Sequence, residues 1–119
     1  MRLYQDHRNE AHKNCLRMFD RGESLRHFTA KAVLCHLLRR LGHDVVTEAY
    51  IQGRGFADVL DLTTHVQYEI EATHMRWKHH QKVEQYMREG WEVIVIPVHK
   101  APTDVEELAV YIDQYVHPD

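Results

Sequence analysis

The chain has 119 residues, a formal net charge of −3 and a hydrophobic fraction of 44%. This length suits a single domain, 1–119, that can bury a core without disulfides or a structural metal. No apolar run reaches the length of a membrane span, and the opening MRLYQDHRNE lacks the apolar stretch of a signal peptide, so we expect a cytoplasmic protein with no membrane partner.

The charges are unevenly distributed along the chain. Residues 1–41 hold nine Lys and Arg against four Asp and Glu, a net of +5, whereas residues 42–119 hold six against fourteen, a net of −8. This asymmetry is typical of an enzyme that contacts phosphates with one surface and binds metal with another. Cys15 and Cys35 form no spaced framework, so both are expected to remain thiols.

Two helices are predicted before the first strand. The weakly amphipathic residues 3–20 predict a partly exposed helix. Ser24 then suits the N-cap of a second, well-buried helix that Gly42 terminates. The apolar residues of this second helix recur near helical spacing at Leu25, Phe28, Ala32, Cys35 and Leu38, with Leu34, Leu37 and Leu41 widening the stripe.

Three predicted strands follow as a meander with short connections, over residues 44–51, 57–63 and 66–71. A polar helix over 74–89 and a continuous apolar strand over 93–98 come next. A strand, a helix and a strand in succession imply a parallel crossover.

The last predicted element is a helix over residues 103–116. Thr103 and Glu106 have the spacing of a capping box, in which the side chains of both residues satisfy backbone amides of the first turn. The sequence therefore predicts an α/β fold with one additional helix at each end.

The most informative residues are three carboxylates on the predicted meander. Asp58 is followed eleven residues later by Glu69, and Glu71 shares a strand face with Glu69 because side chains alternate along a strand. Two like charges held so close need a counterion. Strict alternation puts Asp58 on the same face as the apolar Leu60 and Leu62, so either Asp58 precedes the regular strand or a bulge re-aims it.

These carboxylates and the order of the elements resemble the PD-(D/E)xK nuclease superfamily, which includes archaeal-type Holliday junction resolvases and many restriction endonucleases. The similarity covers about residues 23–98 and implies a three-layer restriction-endonuclease-like core. Asp58 matches the family Asp and Glu69 the family Glu. Ala57 stands where the family usually has Pro, and Glu71 stands in place of the lysine of Glu-x-Lys.

The resemblance implies metal-assisted hydrolysis of phosphodiester bonds. Asp58 and Glu69 would hold Mg²⁺ or Mn²⁺ through hard oxygen ligands. Some relatives contribute a further acidic residue, for which Glu48 is favoured over Glu23 because its strand should neighbour that of Asp58. Glu71 could alternatively ligate a second metal.

The missing motif lysine has a candidate replacement. Lys82 lies on the predicted 74–89 helix, and relocated lysines of this kind occur in some relatives. Lys82 or Glu71 would then orient the attacking water. We therefore name Asp58, Glu69, Glu71 and Lys82 as catalytic candidates.

The expected partner is DNA. Arg54 in the QGRGF turn and Arg76, Lys78 and Lys82 on the polar helix could contact backbone phosphates with salt-sensitive affinity. Cleavage of both strands of branched DNA would require a symmetric homodimer.

Three alternatives stay open. Asp58, Glu69 and Glu71 could simply be solvated, and the cationic helix could be a solvated face. Loss of the motif lysine could leave an inactive nuclease fold that acts as a nucleic-acid-binding or assembly module, and a protein-interaction domain is the third reading.

A zinc site is disfavoured, since neither His12-x-x-Cys15 nor Cys35-His36 has paired ligands at structural-zinc spacing.

Overall fold

In the computed structural model, which describes residues 11–51, 55–72 and 91–116, the predicted capped helix is present as α1 (Leu25–Arg40). The Ser24 hydroxyl accepts a hydrogen bond from the His27 N–H at 3.1 Å, which satisfies one amide of the first turn. Gly42 follows the helix with φ of +84°, a conformation that glycine adopts without a steric penalty. Leu25 and Leu41 lie at the ends of the helix and are exposed, so they do not belong to its buried stripe.

Four strands form one mixed sheet: β1 (Val45–Ile51), β2 (Gly55–Asp61), β3 (Val66–Ile70) and β4 (Glu92–Ile96). Their spatial order is β1-β2-β3-β4; the first two pairings are antiparallel, and β3 pairs with β4 in parallel. The predicted meander and the parallel pairing are therefore confirmed. The predicted crossover helix over 74–89 lies outside the described residues, and so does the second helical layer that it would form.

Apolar side chains cover both faces of the sheet. The larger cluster joins the sheet to α1 and to the last helix, and its buried members include Leu34, Leu38, Val59, Tyr68, Leu108 and Ile112. A smaller cluster on the other face contains Val46, Ala49, Ala57, Leu60 and Trp91. All five residues of β3 are buried, which makes β3 the best-protected strand of the described sheet.

The last helix, α2 (Val105–Asp113), is shorter than predicted and begins differently. Its N-cap is Asp104, whose carboxylate accepts from the Glu107 N–H at 3.0 Å, so the predicted Thr103–Glu106 capping box is wrong by one residue. Aspartate is a stronger N-cap than threonine, which explains the shift. Within the described ranges, neither α1 nor α2 is long and apolar enough to cross a membrane.

The predicted N-terminal helix over 3–20 is wrong for residues 12–20, which form turns and irregular chain. Residues 3–10 lie outside the described part. Asn14 has φ of +61°, which ends any helix, and its N–H donates to the Val45 carbonyl at 2.7 Å. The Arg17 N–H donates to the Thr47 hydroxyl at 2.9 Å, so this segment runs along β1 and occupies hydrogen-bonding groups at the edge of the sheet.

Arg26 fixes the N-terminal half of α1 against the loop that follows β4. Its guanidinium donates to the carbonyls of Val98 at 2.7 Å and Pro102 at 2.9 Å, and also to that of Ala101. Pro97 ends β4 because it has no N–H to donate to a neighbouring strand. This contact matters for the site, since the residues that approach the sheet from α1 lie in the same half of the helix.

Candidate functional site

The strands β2 and β3 separate at Asp58 and Glu69. Their paired residues end at Val59 and Tyr68. Beyond that point, the Ile70 N–H donates to Oδ2 of Asp58 at 2.7 Å, and the Asp58 N–H makes a long hydrogen bond of 3.4 Å to Oε2 of Glu69. Two carboxylates thus take the positions that main-chain carbonyls occupy in a regular ladder.

Alternation of the side chains along β1 and β2 is interrupted at this level of the sheet. Ala57 packs in the same cluster as Leu60, although an odd spacing puts residues of a regular strand on opposite faces. Asp58 itself lies in the middle of β2 and contacts α1. Of the two alternatives for Asp58, a start before the regular strand is therefore wrong, and a local distortion re-aims the side chain.

The opposing residue of β1 is Glu48, which has φ of +47°. The flanking pairs of the two strands place Glu48 directly across from Asp58. A non-glycine residue in this region costs about 1–3 kcal/mol, and such strain is often found at functional sites. Like charges directly across a strand pair are also destabilising, so the two carboxylates need cations nearby.

Those cations come from α1. Lys31 is fully buried, and its ammonium lies 2.9 Å from Oε2 of Glu23 and 3.0 Å from Oε2 of Glu48. One turn earlier, His27 bridges two carboxylates: Nδ1 lies 2.5 Å from Oε2 of Glu23, and Nε2 lies 3.3 Å from Oδ1 of Asp58. We call Glu23, Glu48 and Asp58 the carboxylate cluster; His27 and Lys31 are its cationic partners, and Glu69 adjoins it through the Asp58 N–H.

The pKa values in the cluster are set by burial and by the contacts among its charged groups. Burial raises the pKa of Glu48 to about 7 against the opposing hydrogen bond from Lys31, and the charge of Asp58 adds to the increase. Burial alone would lower the pKa of His27, but its contacts with Asp58 and Glu23 raise that pKa to about 9. Burial would raise the pKa of Glu23, yet hydrogen bonds from the Phe19 N–H, Lys31 and His27 outweigh it and lower the value.

The two glutamates of β3 have different neighbours. Glu69 is buried, and its Oε2 accepts a 2.7 Å hydrogen bond from the side-chain amide of Gln67. Glu71 lies just after the strand, with Oε1 at 3.4 Å from Nδ1 of His99. The described contacts therefore join Glu69 to Asp58 and Glu71 to the short 3₁₀ turn Val98–Lys100.

Glu48 and Glu23, the two candidates for a further acidic residue, both lie in the cluster. Glu48 faces Asp58 across the strands, whereas Glu23 reaches Asp58 through His27. In the described part of the chain, no three His, Cys, Asp or Glu side chains form a ready metal-binding group. Lys82 and the proposed phosphate-binding residues Arg54, Arg76 and Lys78 lie outside the described residues.

Sequence reasoning missed His27, Lys31 and Gln67. The signal for the first two is their four-residue spacing after Glu23, which puts polar side chains on the face of α1 that packs toward the sheet. Gln67 lies two residues before Glu69 on the same face of β3, and this spacing could have identified it as a hydrogen-bond partner.

Comparison of the chain with protein-family models, with curated proteins and with solved structures finds no match. The resemblance to the PD-(D/E)xK superfamily therefore remains an expectation, which depends on the order of the elements and on Asp58 and Glu69. Both are properties of the sequence and the geometry of this chain.

Proposed function

We propose that the protein is a metal-dependent DNA endonuclease with a restriction-endonuclease-like core. The observation that carries the proposal is the meeting of Asp58 and Glu69, where the main-chain amide of one residue donates to the carboxylate of the other. Asp58 and Glu69 are the residues that match the Asp and Glu of the superfamily motif. Glu69 occupies a buried position of β3, and acidic side chains rarely do so without a function or a partner, which strengthens the argument.

The order of the elements supports the same assignment. Helix α1 precedes a three-strand meander, and β4 joins the sheet in parallel beside β3. A parallel pair requires a crossover connection between its strands, and the polar segment 74–89 is of suitable length for the crossover helix. In this proposal that helix forms the third layer of the core.

The carboxylate cluster fits Mg²⁺ or Mn²⁺ by its donor chemistry. Three carboxylates contact two cationic side chains, and burial together with the charge of Asp58 raises the pKa of Glu48. Magnesium is commonly bound through one or two carboxylates and retains several waters, so Asp58 and Glu69 would suffice, with Glu48 or Glu23 as a further ligand. When bound, the ion would polarise a phosphoryl oxygen and lower the pKa of a bound water.

The residues around Asp58 and Glu69 hold these two carboxylates in place. The Ile70 N–H fixes one oxygen of Asp58, and the Gln67 amide fixes one oxygen of Glu69. Each carboxylate oxygen has two lone pairs, so Oδ2 of Asp58, which accepts from the Ile70 N–H, retains capacity for a ligand. Such preorganisation lowers the cost of binding a cation at this point.

Further roles in the proposal fall on residues named from the sequence. Glu71 or Lys82 would orient the attacking water. Arg54, Arg76 and Lys78 would bind the phosphate backbone and give affinity without sequence preference. Cleavage of branched DNA by paired cuts would need a homodimer with two sites related by symmetry.

A cleavage assay tests the proposal. Purified protein is incubated with linear, single-stranded and four-way branched DNA, with Mg²⁺, with Mn²⁺ or with EDTA. Cleavage of at least one substrate that depends on the metal is the expected result. Absence of cleavage under every condition, with protein that is folded by circular dichroism, would refute the enzymatic proposal.

The matched variants are Glu69→Gln and Glu106→Gln. Glu69→Gln removes a proposed metal ligand while keeping the size of the side chain, so cleavage should disappear and DNA binding should persist. Glu106 is exposed in the first turn of α2, away from the described contacts of the cluster, so its variant should cleave like the wild type. Equal loss in both variants would argue against a specific role for Glu69.

One observation favours a second candidate, a non-catalytic nucleic-acid-binding or assembly module. The residue in the position of the motif lysine is Glu71, and its carboxylate lies beside His99. In that case the protein binds DNA in a salt-dependent manner, and neither the wild type nor Glu69→Gln cleaves it. Absence of DNA binding at low ionic strength would instead favour a protein-interaction domain.

A further inference from the structure

The inner face of α1 presents two basic side chains to the carboxylate cluster. His27 and Lys31 are one helical turn apart and both contact Glu23, which lies just before the N-cap. The two cations have different surroundings. Lys31 is fully buried, whereas 18% of the His27 side chain reaches solvent.

Lys31 has no hydrogen-bonding capacity left for a substrate. An ammonium group has three N–H donors, and the Lys31 ammonium contacts both oxygens of Glu23 and one oxygen of Glu48. All three of these groups are nearly or fully excluded from solvent. Lys31 is therefore a buried counterion that holds the two glutamates together.

His27 lies at the solvent-facing side of the cluster. The side chain of its partner Asp58 is 17% exposed, compared with 2% for Glu23 and 5% for Glu48. The two ring nitrogens of His27 contact two different carboxylates, so the ring links the buried Glu23 to the accessible Asp58. A ligand that approaches from solvent would meet the Asp58–His27 pair first.

We propose that His27 is a positioning residue that orients the Asp58 carboxylate, so that α1 supplies a side-chain donor to the site in a chain that has Glu71 in place of the motif lysine. Asp58 is then held on both sides, by His27 at Oδ1 and by the Ile70 N–H at Oδ2. Glu23 orients the ring through Nδ1, and Lys31 anchors Glu23. The effect of His27 on metal-dependent cleavage rests on the proposed function. The orientation of Asp58 by His27 does not depend on that proposal.

The geometric part is tested without metal or DNA by a thermal-unfolding cycle. The midpoints of the wild type, His27→Ala, Asp58→Ala and the double variant are compared. Because His27 acts through Asp58, His27→Ala should lower the midpoint less in the Asp58→Ala background than in the wild type. Equal shifts in the two backgrounds would overturn the inference, whatever the cleavage assay shows.

The functional part is tested through the metal requirement of cleavage. His27→Ala should raise the Mn²⁺ concentration for half-maximal cleavage by about 10–100-fold, the usual effect of removing a group that orients a metal ligand. His27→Gln keeps one N–H donor and should recover part of this loss. The control is His36→Ala, an exposed histidine of the same helix, which should leave the requirement unchanged.

The outcomes separate the two proposals. A wild type that does not cleave DNA, together with coupled midpoints, removes the nuclease function but retains the positioning role of His27. Cleavage with an unchanged Mn²⁺ requirement in His27→Ala removes the positioning role and retains the nuclease. If His27→Ala does not fold, His27→Leu, which also lacks an N–H donor in the side chain, is used in both tests, and its agreement with the wild type in both would contradict the inference.

Discussion

The main-chain N–H of Ile70 donates a 2.7 Å hydrogen bond to the carboxylate of Asp58, which lies on the neighbouring strand. Ile70 is almost fully buried, so few alternative partners can reach its amide. Asp58 therefore has two roles: it is the proposed metal ligand, and it satisfies a backbone donor where the β2–β3 ladder ends. Substitutions can separate the two roles.

Asp58→Ala should lower the free energy of unfolding by about 1–3 kcal/mol, the cost of leaving a buried donor without a partner. Asp58→Asn keeps an oxygen acceptor for the Ile70 N–H and should lose less stability. Urea denaturation without added metal measures the difference. Both variants should lose cleavage, because both remove the proposed metal-binding carboxylate. Equal free energies of unfolding for the Ala and Asn variants would show that the hydrogen bond from the Ile70 N–H contributes little to stability.

Lys31→Met should be the most destabilising of the cluster variants. It leaves the buried carboxylates of Glu23 and Glu48 without their shared cation, and breaking a buried ion pair in this way costs about 3–5 kcal/mol. Urea denaturation is again the measurement, with the exposed Lys100→Met as the control. Adding Glu48→Gln to Lys31→Met should restore part of the lost free energy of unfolding. If it does not, the unpaired buried carboxylate responsible for the loss is not that of Glu48.

Most of the fold could be predicted from local sequence signals. Ser24 and Gly42 delimit α1, and apolar runs locate the four strands, because caps and periodicity depend only on nearby residues. The N-terminal segment was mispredicted because its conformation depends on Asn14, whose bond to Val45 is a long-range contact. Helical periodicity carries no information about such a partner.

The site could be predicted only in part. The spacing of Asp58 and Glu69 on successive strands predicts that they meet, and their N–H to carboxylate contact agrees with that expectation. The direction of the Asp58 side chain cannot be predicted from the pattern of β2 alone. The strand pair is distorted at this position, where Glu48 on the neighbouring β1 has a positive φ. The sequence does not reveal the contribution of α1, because Lys31 occupies a fully buried position that apolar residues usually fill.

Glu48 should make the stability of the protein depend on pH between about 4.5 and 7. Burial raises its folded-state pKa to about 7, so the folded state keeps a proton that the unfolded state has released. The stabilising contribution of neutral Glu48 is complete below about pH 4.5 and is lost as the pH rises through 7. As the pH rises across this window, the free energy of unfolding of the wild type should therefore fall relative to that of Glu48→Gln, which does not titrate at this position.

The measurement is urea denaturation of both proteins at intervals from pH 4.5 to 9. His27 has a folded-state pKa raised to about 9, so its own contribution is complete below about 6.5 and is lost at higher pH. The pH dependence due to His27 thus overlaps that due to Glu48 only between about pH 6.5 and 7. A constant difference between Glu48→Gln and the wild type from pH 4.5 to 7 would contradict the assignment to Glu48.

The two cysteines should differ sharply in reactivity. Burial raises the pKa of the Cys35 thiol to about 12, whereas Cys15 is exposed. The thiolate is the reactive species, so at pH 8 a disulfide reagent such as DTNB should titrate one thiol rapidly and the second only after unfolding. Cys15→Ser should abolish the rapid phase. A rapid phase that survives this substitution would mean that the α1–sheet interface, in which Cys35 is packed, opens readily in the native state.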